Sequence, residues 1–228
     1  MDFRKVFNRG TIDKIDAKIN LLGVNAKYDA VTFLSIRIVT CIFLFVFIFS
    51  IFEYGYILAI IFVVIYYFLY EYVFLDSKIK HREKVINNEA IYLFEVLTLS
   101  LQTGRNLAEA ISITVNSVQG ELSLEFKEAL RQTKFGKSLN ESLNDMQKRI
   151  PSDSINNIIL ALTQANVYGS SIISTLNNQI DYLREKRKME IKAQISKIPT
   201  KISVISVLFF IPLILLIILG PVLLKFLG

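Results

Sequence analysis

The sequence predicts an all-α integral membrane protein in which three transmembrane helices accompany a six-helix cytoplasmic bundle built from helix-turn-helix hairpins. Of the 228 residues, 53% are hydrophobic and the mean hydropathy is +0.46, which is unusually apolar for a soluble domain. Three stretches reach the roughly 20 apolar residues that a helix needs to cross a membrane. Elsewhere, apolar residues recur at intervals of three and four, without sustained period-two alternation. The apolar positions that this periodicity assigns to the core are Ile86, Ala90, Leu93, Phe94, Leu97 and Leu101, then Leu122, Phe126 and Leu130, then Ile155, Ile159 and Leu162.

The three predicted spans are residues 33–52, 56–75 and 202–224. Each is expected to be a helix, because lipid offers the peptide backbone no hydrogen-bond partner. Only Glu53, Tyr54 and Gly55 separate the first two spans, so these form a tight hairpin. The chain is thus divided into an N-terminal segment (1–32), a transmembrane hairpin (33–75), a helical domain (76–201) and a C-terminal span (202–228).

Basic residues set the expected orientation in the membrane. They flank the hairpin on both sides of its base, whereas the turn has none. By the positive-inside rule the amino terminus and the helical domain are cytoplasmic and the carboxyl terminus is outside, in a multi-pass protein of the inner (cytoplasmic) membrane. The net charge of +6 lies beside the spans, which favours a membrane surface over nucleic acid as its partner.

Two ionisable residues, Arg37 and Glu71, fall within the first two spans. Each is seventeen positions from Tyr54, so both lie about 25 Å from the turn at 1.5 Å per residue. The pattern predicts an ion pair at that depth. The alternative is that each side chain extends separately to the interface.

The N-terminal segment contains a predicted amphipathic helix at residues 11–22, with Thr11 as its cap and Gly23 at its end. Two interpretations stay open: a helix lying on the membrane surface, or a docking element for a cytoplasmic partner.

An internal repeat organises the helical domain. In each copy a glycine ends one helix, a polar residue two positions later caps the next, and an apolar pair follows. The glycines are Gly104, Gly136 and Gly169, and the caps are Asn106, Ser138 and Ser171. Glu109 and Glu141 are placed to complete capping boxes. The last helix leads through Pro199 into the third span.

The residue inventory argues against catalysis. The chain has one histidine, His81, and one cysteine, Cys41, so it lacks the usual zinc-ligand and Cys-His patterns. Gly136-Lys137-Ser138 resembles the end of a phosphate-binding loop, but Arg131 replaces the first glycine of that motif and no strand precedes it. We therefore predict no enzyme activity, cofactor or metal.

Two charged clusters have alternative interpretations. Glu121, Glu125 and Glu128 lie on or near one helical face, which predicts a solvated surface, with a metal site as the alternative. A basic run before the third span comprises Arg184, Lys186, Arg187 and Lys188. It is expected to contact anionic lipid headgroups or an acidic protein partner.

Several motifs occur in a familiar order over about residues 85–228. They are the Gly-x-[Ser/Asn]-[Leu/Ile] hairpins at Gly104 and Gly169, Phe135-Gly136-Lys137-Ser138-Leu139, Arg149-Ile150-Pro151, Leu183-Arg184-Glu185-Lys186-Arg187, and Phe210-Ile211-Pro212 followed by Gly220-Pro221. The sequence resembles the F-domain platform proteins of type II secretion and type IV pilus systems. A single domain after a hairpin is similar to the tight-adherence (Tad) branch, and the ending is TadC-like.

The resemblance implies a platform protein that couples a separate hexameric ATPase to the extraction and assembly of pilins. Its implied partners are that ATPase, pilin subunits, a second platform protein and membrane lipid, in a homo- or hetero-oligomer. The family offers no catalytic residues to assign. The alternative functions are a transporter or channel subunit and, less favoured by the residues, a membrane-bound enzyme.

Overall fold

The structure is a computed structural model that describes residues 9–24, 26, 29–51, 55–168 and 172–227. Throughout this part of the chain the regular structure is helical, without strands. The helices are α1 (Arg9–Asn20), α2 (Ala30–Ile51), α3 (Gly55–Glu71), a π-helical segment (Tyr72–Asp76), α4 (Ser77–Gln102), α5 (Leu107–Ser117), α6 (Glu121–Lys134), α7 (Leu139–Gln147), α8 (Asp153–Tyr168) and α9 (Ile172–Leu227). Three helical stretches are long and apolar enough to cross a membrane. The predicted all-α fold with three spans is confirmed.

The second predicted span is part of a longer helix. The helix of α3 passes through the π-helical segment into α4, so residues 75 and 76, the predicted domain boundary, lie within it. The backbone stays helical on both sides of the π segment, at Glu71 (φ −64°) and at Ser77 (φ −65°). No glycine or proline occurs between Tyr56 and Thr103 to interrupt it. The predicted turn residues Glu53 and Tyr54 lie outside the described residues.

The N-terminal helix differs from its prediction at its start. Helix α1 is already formed at Arg9, so Thr11 lies inside the helix and does not cap it. Its apolar face is buried: Ile15 and Ile19 pack in one cluster with residues of α2, α3 and the π-helical segment, including Phe33 and Leu75. The chain's own hairpin covers this face, so neither a membrane surface nor a partner is needed to bury it.

Helices α4 to α8 and the first turns of α9 form a bundle around an apolar core. Of the core residues named by the three-and-four periodicity, the fully buried ones include Ile86, Phe94, Leu97, Leu122, Phe126, Ile155, Ile159 and Leu162, whereas Leu130 is only partly buried. Phe94 of α4 meets Phe126 of α6 edge to face at 6.1 Å. Glu89 accepts a bond from the Leu122 amide of α6. These contacts indicate that α4 and α6 run in the same direction.

A second compact unit begins at Asp181 and contains the remainder of α9, as far as Leu227. Its helix continues through Pro199, Pro212 and the backbone of Gly220 and Pro221 without a break. Proline removes one hydrogen bond from a helix but does not end it when the surrounding residues favour the helix.

Candidate functional site

The base of the hairpin contains a partly buried charged cluster centred on Glu71. Arg37 is 2% exposed, and its Nη1 donates to Glu71 Oε2 at 3.3 Å. Its Nη2 donates to the Tyr67 carbonyl at 2.6 Å, and its guanidinium carbon lies 3.5 Å from the Tyr67 ring centroid. The structure therefore brings together the two residues that the sequence placed at one depth. Arg37 is directed into the hairpin rather than towards the interface.

Lys18 of α1 adds a second cation to this cluster. Its Nζ donates to Glu71 Oε1 at 2.7 Å and lies 2.9 Å from Asp76 Oδ1. The hydrogen bond to Glu71 raises the pKa of the Lys18 ammonium, against the smaller opposing effect of burial. One side chain thus connects α1 to both ends of the π-helical segment. The sequence analysis did not predict this contact, because it treated α1 as a separate element.

A second network surrounds Arg82 at the start of the bundle. Arg82 is 6% exposed and donates to both Glu121 (2.8 Å) and Glu125 (2.7 Å) of α6. Its Nη1 also donates to two carbonyls, those of Leu21 at 2.8 Å and Arg149 at 2.6 Å. The guanidinium therefore joins the connector after α1, the start of α4, the start of α6 and the connector before α8.

Glu125 is the anionic centre of this second network. It is 1% exposed; Oε1 accepts from Arg82 and from the Val24 amide at 3.1 Å, and Oε2 accepts from Arg149 Nε at 2.8 Å. The interpretation of Glu121, Glu125 and Glu128 as a solvated face is wrong for Glu125, because α6 turns this position towards two arginines. With both oxygens bonded to protein donors, the arrangement is a salt-bridge network and not a metal site.

Gly23 fits closely against Arg82. Its φ is +93°, and a Cβ added there would lie 2.7 Å from Arg82 Cζ and 2.9 Å from Nε. Only glycine combines the left-handed backbone with that close approach. Gly23 thus lets the connector reach the guanidinium, so that Leu21 and Val24 can bond to the network.

The repeated turns have the predicted left-handed glycines and polar caps where the structure describes them. Asn106 caps α5 by accepting from the Glu109 amide at 2.9 Å, but Glu109 does not return a bond to the Asn106 amide, so the capping box predicted there is not formed. Ser138 and Glu141 form the predicted reciprocal capping box. Gly104 (φ +81°) and Gly136 (φ +98°) are left-handed. Gly169 and Ser171 lie outside the described residues. Lys137 Nζ lies 2.8 Å from Asp145 Oδ2, so this lysine forms an ordinary salt bridge at the protein surface.

The basic run of α9 presents a charged helix surface. Arg184, Arg187 and Lys188 are exposed and Lys186 is partly buried. Arg184 pairs with Asp181 at 3.2 Å and Lys188 with Glu185 at 3.7 Å, both one turn apart on an exposed helix. Such pairs contribute little to stability. The choice between a lipid and an acidic protein partner for this run stays a prediction.

The family is decided by comparison with known proteins. Residues 93–220, 128 of 228, match the family Type II secretion system (T2SS), protein F. The chain belongs to the T2SS protein F family. Neither a curated protein nor a solved structure matches it at a significant level.

Proteins of the T2SS protein F family are membrane platform proteins of type II secretion and type IV pilus systems, and they work with secretion ATPases and other platform components. With its three apolar spans, this chain is accordingly a multi-pass inner-membrane protein of the platform type. The match begins at Leu93, so the cluster around Glu71 and the side chain of Arg82 lie outside the matched stretch, whereas Glu121, Glu125 and Arg149 lie inside it. Arg82, Lys18 and Glu71 are features of this chain that the family match does not describe.

Proposed function

We propose that this protein is the platform of a Tad-like type IV pilus or of a type II secretion system, where it couples a separate cytoplasmic ATPase to the extraction and assembly of pilins. Family membership supports the platform role. A single helical domain after a transmembrane hairpin supports the Tad-like, TadC-like branch. The proposed domains are those predicted from the sequence, with residues 76–201 as the cytoplasmic bundle.

The mechanical part of this proposal rests on one observation. The bundle is connected both to the end of α3 and to the connector before α2, that is, to both helices of the hairpin. On one side, α3 continues through the π-helical segment into α4. On the other, the connector before α2 is held by Arg82 and Glu125, which bond Leu21 and Val24. A displacement of the bundle is therefore transmitted to α2 and α3 together.

The charged network suits this role physically. A charge that is 1% exposed strongly resists separation from its partners, because an unpaired buried charge is unfavourable by several kcal/mol. A force applied to α6 is thus transmitted through Glu125 to the connector before α2, while the contacts of Glu125 stay intact. The uninterrupted α9 provides a covalent path from the bundle to the third span. The ATPase supplies the energy, and pilins, a second platform protein and lipid are the partners in the membrane.

The experiment is purification of the tagged full-length protein from its native membrane in mild detergent. We expect the secretion ATPase and a second platform protein of the same system to copurify. We also expect deletion of the gene to abolish surface pili or secretion. Glu125→Gln should lower both the stability of the bundle and pilus assembly, although the protein still inserts into the membrane. Glu121→Gln, at the exposed partner of Arg82, serves as the matched control and should lower neither by much.

Failure would take a clear form. If neither protein copurifies and the deletion strain assembles pili and secretes normally, the platform assignment is wrong. Solute flux through liposomes that contain only this protein would instead support the transporter or channel class.

A further inference from the structure

A groove of about 590 Å³ lies along the outer side of α5 and α6. Residues on both walls, among them Ala108, Asn116 and Leu124, are exposed, so the groove is open along its length and is not an enclosed chamber. An open groove between two helices is a shape that accepts an extended segment of another molecule more readily than a small ligand.

The two walls differ in chemistry. The α5 wall is built from short side chains, Ala108 and Ser112, which allow the backbone of another helix to approach closely. Val115 and Leu130 contribute apolar surface to the lining, and Leu124 remains 49% exposed. An apolar residue of that size gains free energy when it is covered.

The α6 wall is basic. Lys127, Arg131 and Lys134 recur at i, i+4 and i+7, so they form one stripe along the rim of the groove. The acid among the lining residues, Glu128, is bonded to Arg131 by two contacts of 2.7 Å. The rim therefore carries an excess of positive charge beside an apolar floor.

We propose that this groove binds an acidic amphipathic helix of a partner protein. Apolar anchors of that helix cover Leu124 and the lining of the groove, and its acidic residues face Lys127, Arg131 and Lys134. From Leu124 to Lys134 is ten residues, about 15 Å, which accommodates anchors at i, i+4 and i+7. The inference stands on the groove itself and does not require the platform function.

One end of the groove lies close to the hairpin, because Val24 of the connector before α2 is among its lining residues. The rest of the lining belongs to α5 and α6, from Ala108 near the start of α5 to Lys134 at the end of α6. An anionic lipid headgroup would neutralise the basic rim but would not cover the apolar surface between the two helices. A helix with one apolar and one acidic face covers both.

The test is photocrosslinking in the cells that make the protein, with p-benzoylphenylalanine replacing Ala108. The matched control places the same photoprobe at Tyr92, which is 59% exposed on α4 and does not line the groove. We expect Ala108, and not Tyr92, to yield a discrete protein adduct whose crosslinked peptide is an acidic amphipathic helix. Lipid adducts alone, a basic peptide, or the same adduct from both positions would overturn the proposal.

Charge reversal provides a second measurement. Lys127→Glu should lower the yield of the Ala108 adduct about tenfold, whereas Lys127→Arg should retain it, because like charges oppose each other across the interface. Lys84→Glu, exposed on α4, changes the net charge equally and should have no effect. Thermal unfolding of each variant verifies that the bundle is folded. Equal loss from both reversals, or no loss from Lys127→Glu, would show that the groove does not select an acidic partner. Failure of the photoprobe at position 108, without any further substitution, to give an adduct in cells that still assemble pili would count against the groove and not against the platform function.

Discussion

Arg82 Nη2 and Glu125 Oε1 lie 2.7 Å apart in the interior of the protein, with their side chains 8% and 1% exposed. This pair joins the beginning of α4 to α6, and through Leu21 and Val24 it also holds the connector that leads into α2. A second arginine, Arg149, occupies the other carboxylate oxygen. One carboxylate and two guanidinium groups thus link the connector before α2 to the helical bundle.

Glu125→Gln should destabilise the protein severely. It removes the anion that the buried Arg82 and the partly buried Arg149 share. Breaking a buried pair in this way typically lowers the free energy of unfolding by about 3–5 kcal/mol. Glu121→Gln removes the other acidic partner of Arg82. Because the Glu121 side chain is 48% exposed, this change should lower the free energy of unfolding by only about 0–1 kcal/mol. Thermal unfolding in detergent measures both variants. Equal losses would mean that burial does not govern this network.

Arg37→Glu and Glu71→Arg should each reduce accumulation of the protein in the membrane, because each leaves like charges facing one another within the hairpin. The double exchange should restore accumulation only in part, since Lys18 also bonds Glu71 and would face the new arginine. Adding Lys18→Gln removes that repulsion and should improve recovery. Immunoblots of membrane fractions measure the effect, and purely additive losses would rule out coupling between Arg37 and Glu71.

Gly23→Ala and Gly104→Ala separate backbone strain from close contact. Both glycines have positive φ, where a Cβ is unfavourable by about 1–2 kcal/mol. At Gly104 nothing lies within 4 Å of an added Cβ, whereas at Gly23 the Cβ would meet the Arg82 guanidinium. Gly23→Ala should therefore lower the free energy of unfolding by about 1–3 kcal/mol more than Gly104→Ala does, because the added Cβ disturbs the hydrogen bonds of Arg82. If the two variants unfold at the same temperature, the connector does not depend on the contact with Arg82.

Asp145 predicts an acid-dependent contribution to stability. Hydrogen bonds from Lys137 and then from Lys148 lower the pKa of its carboxyl from an ordinary 3.8 to about 2. Because the pKa is lower in the folded state, the ionised group stabilises the fold above pH 3.8 and loses this effect as the pH falls towards 2. The difference in Tm between the wild type and Asp145→Asn should be constant near neutral pH and vanish towards pH 2. A difference that persists at pH 2 would contradict the assignment.

Membrane topology can be read with fusion reporters. The distribution of basic residues predicts that a reporter after Gly228 lies outside the cytoplasm and that one inserted at Gln119, an exposed residue between α5 and α6, lies inside. An alkaline phosphatase and a fluorescent-protein fusion at each position provide matched readouts. A cytoplasmic carboxyl terminus would exclude three spans in the proposed orientation.

Local features could be predicted from the sequence because the residues that cause them are adjacent. The Gly136 and Ser138 turn depends on a left-handed glycine and a reciprocal bond to Glu141, three positions away. The periodicity of α4 identified Ile86, Phe94 and Leu97 as core residues for the same reason. In contrast, the prediction that Thr11 caps α1 was wrong, because the helix is already formed at Arg9. Helix ends depend on weak local preferences and are easily shifted by packing.

The sequence by itself determined the helical class, the three spans, the repeated turns and the common depth of Arg37 and Glu71, because each depends on composition, periodicity or counting along a helix. Only the tertiary structure decided that α1 covers the hairpin base and that Glu125 is buried between Arg82 and Arg149. The Glu125 contacts join residues 24 and 43 positions apart, and the bond from Lys18 to Glu71 joins residues 53 positions apart. A glutamate on an amphipathic helix looks the same in sequence whether it faces water or an arginine, and only the packing of the other helices distinguishes the two.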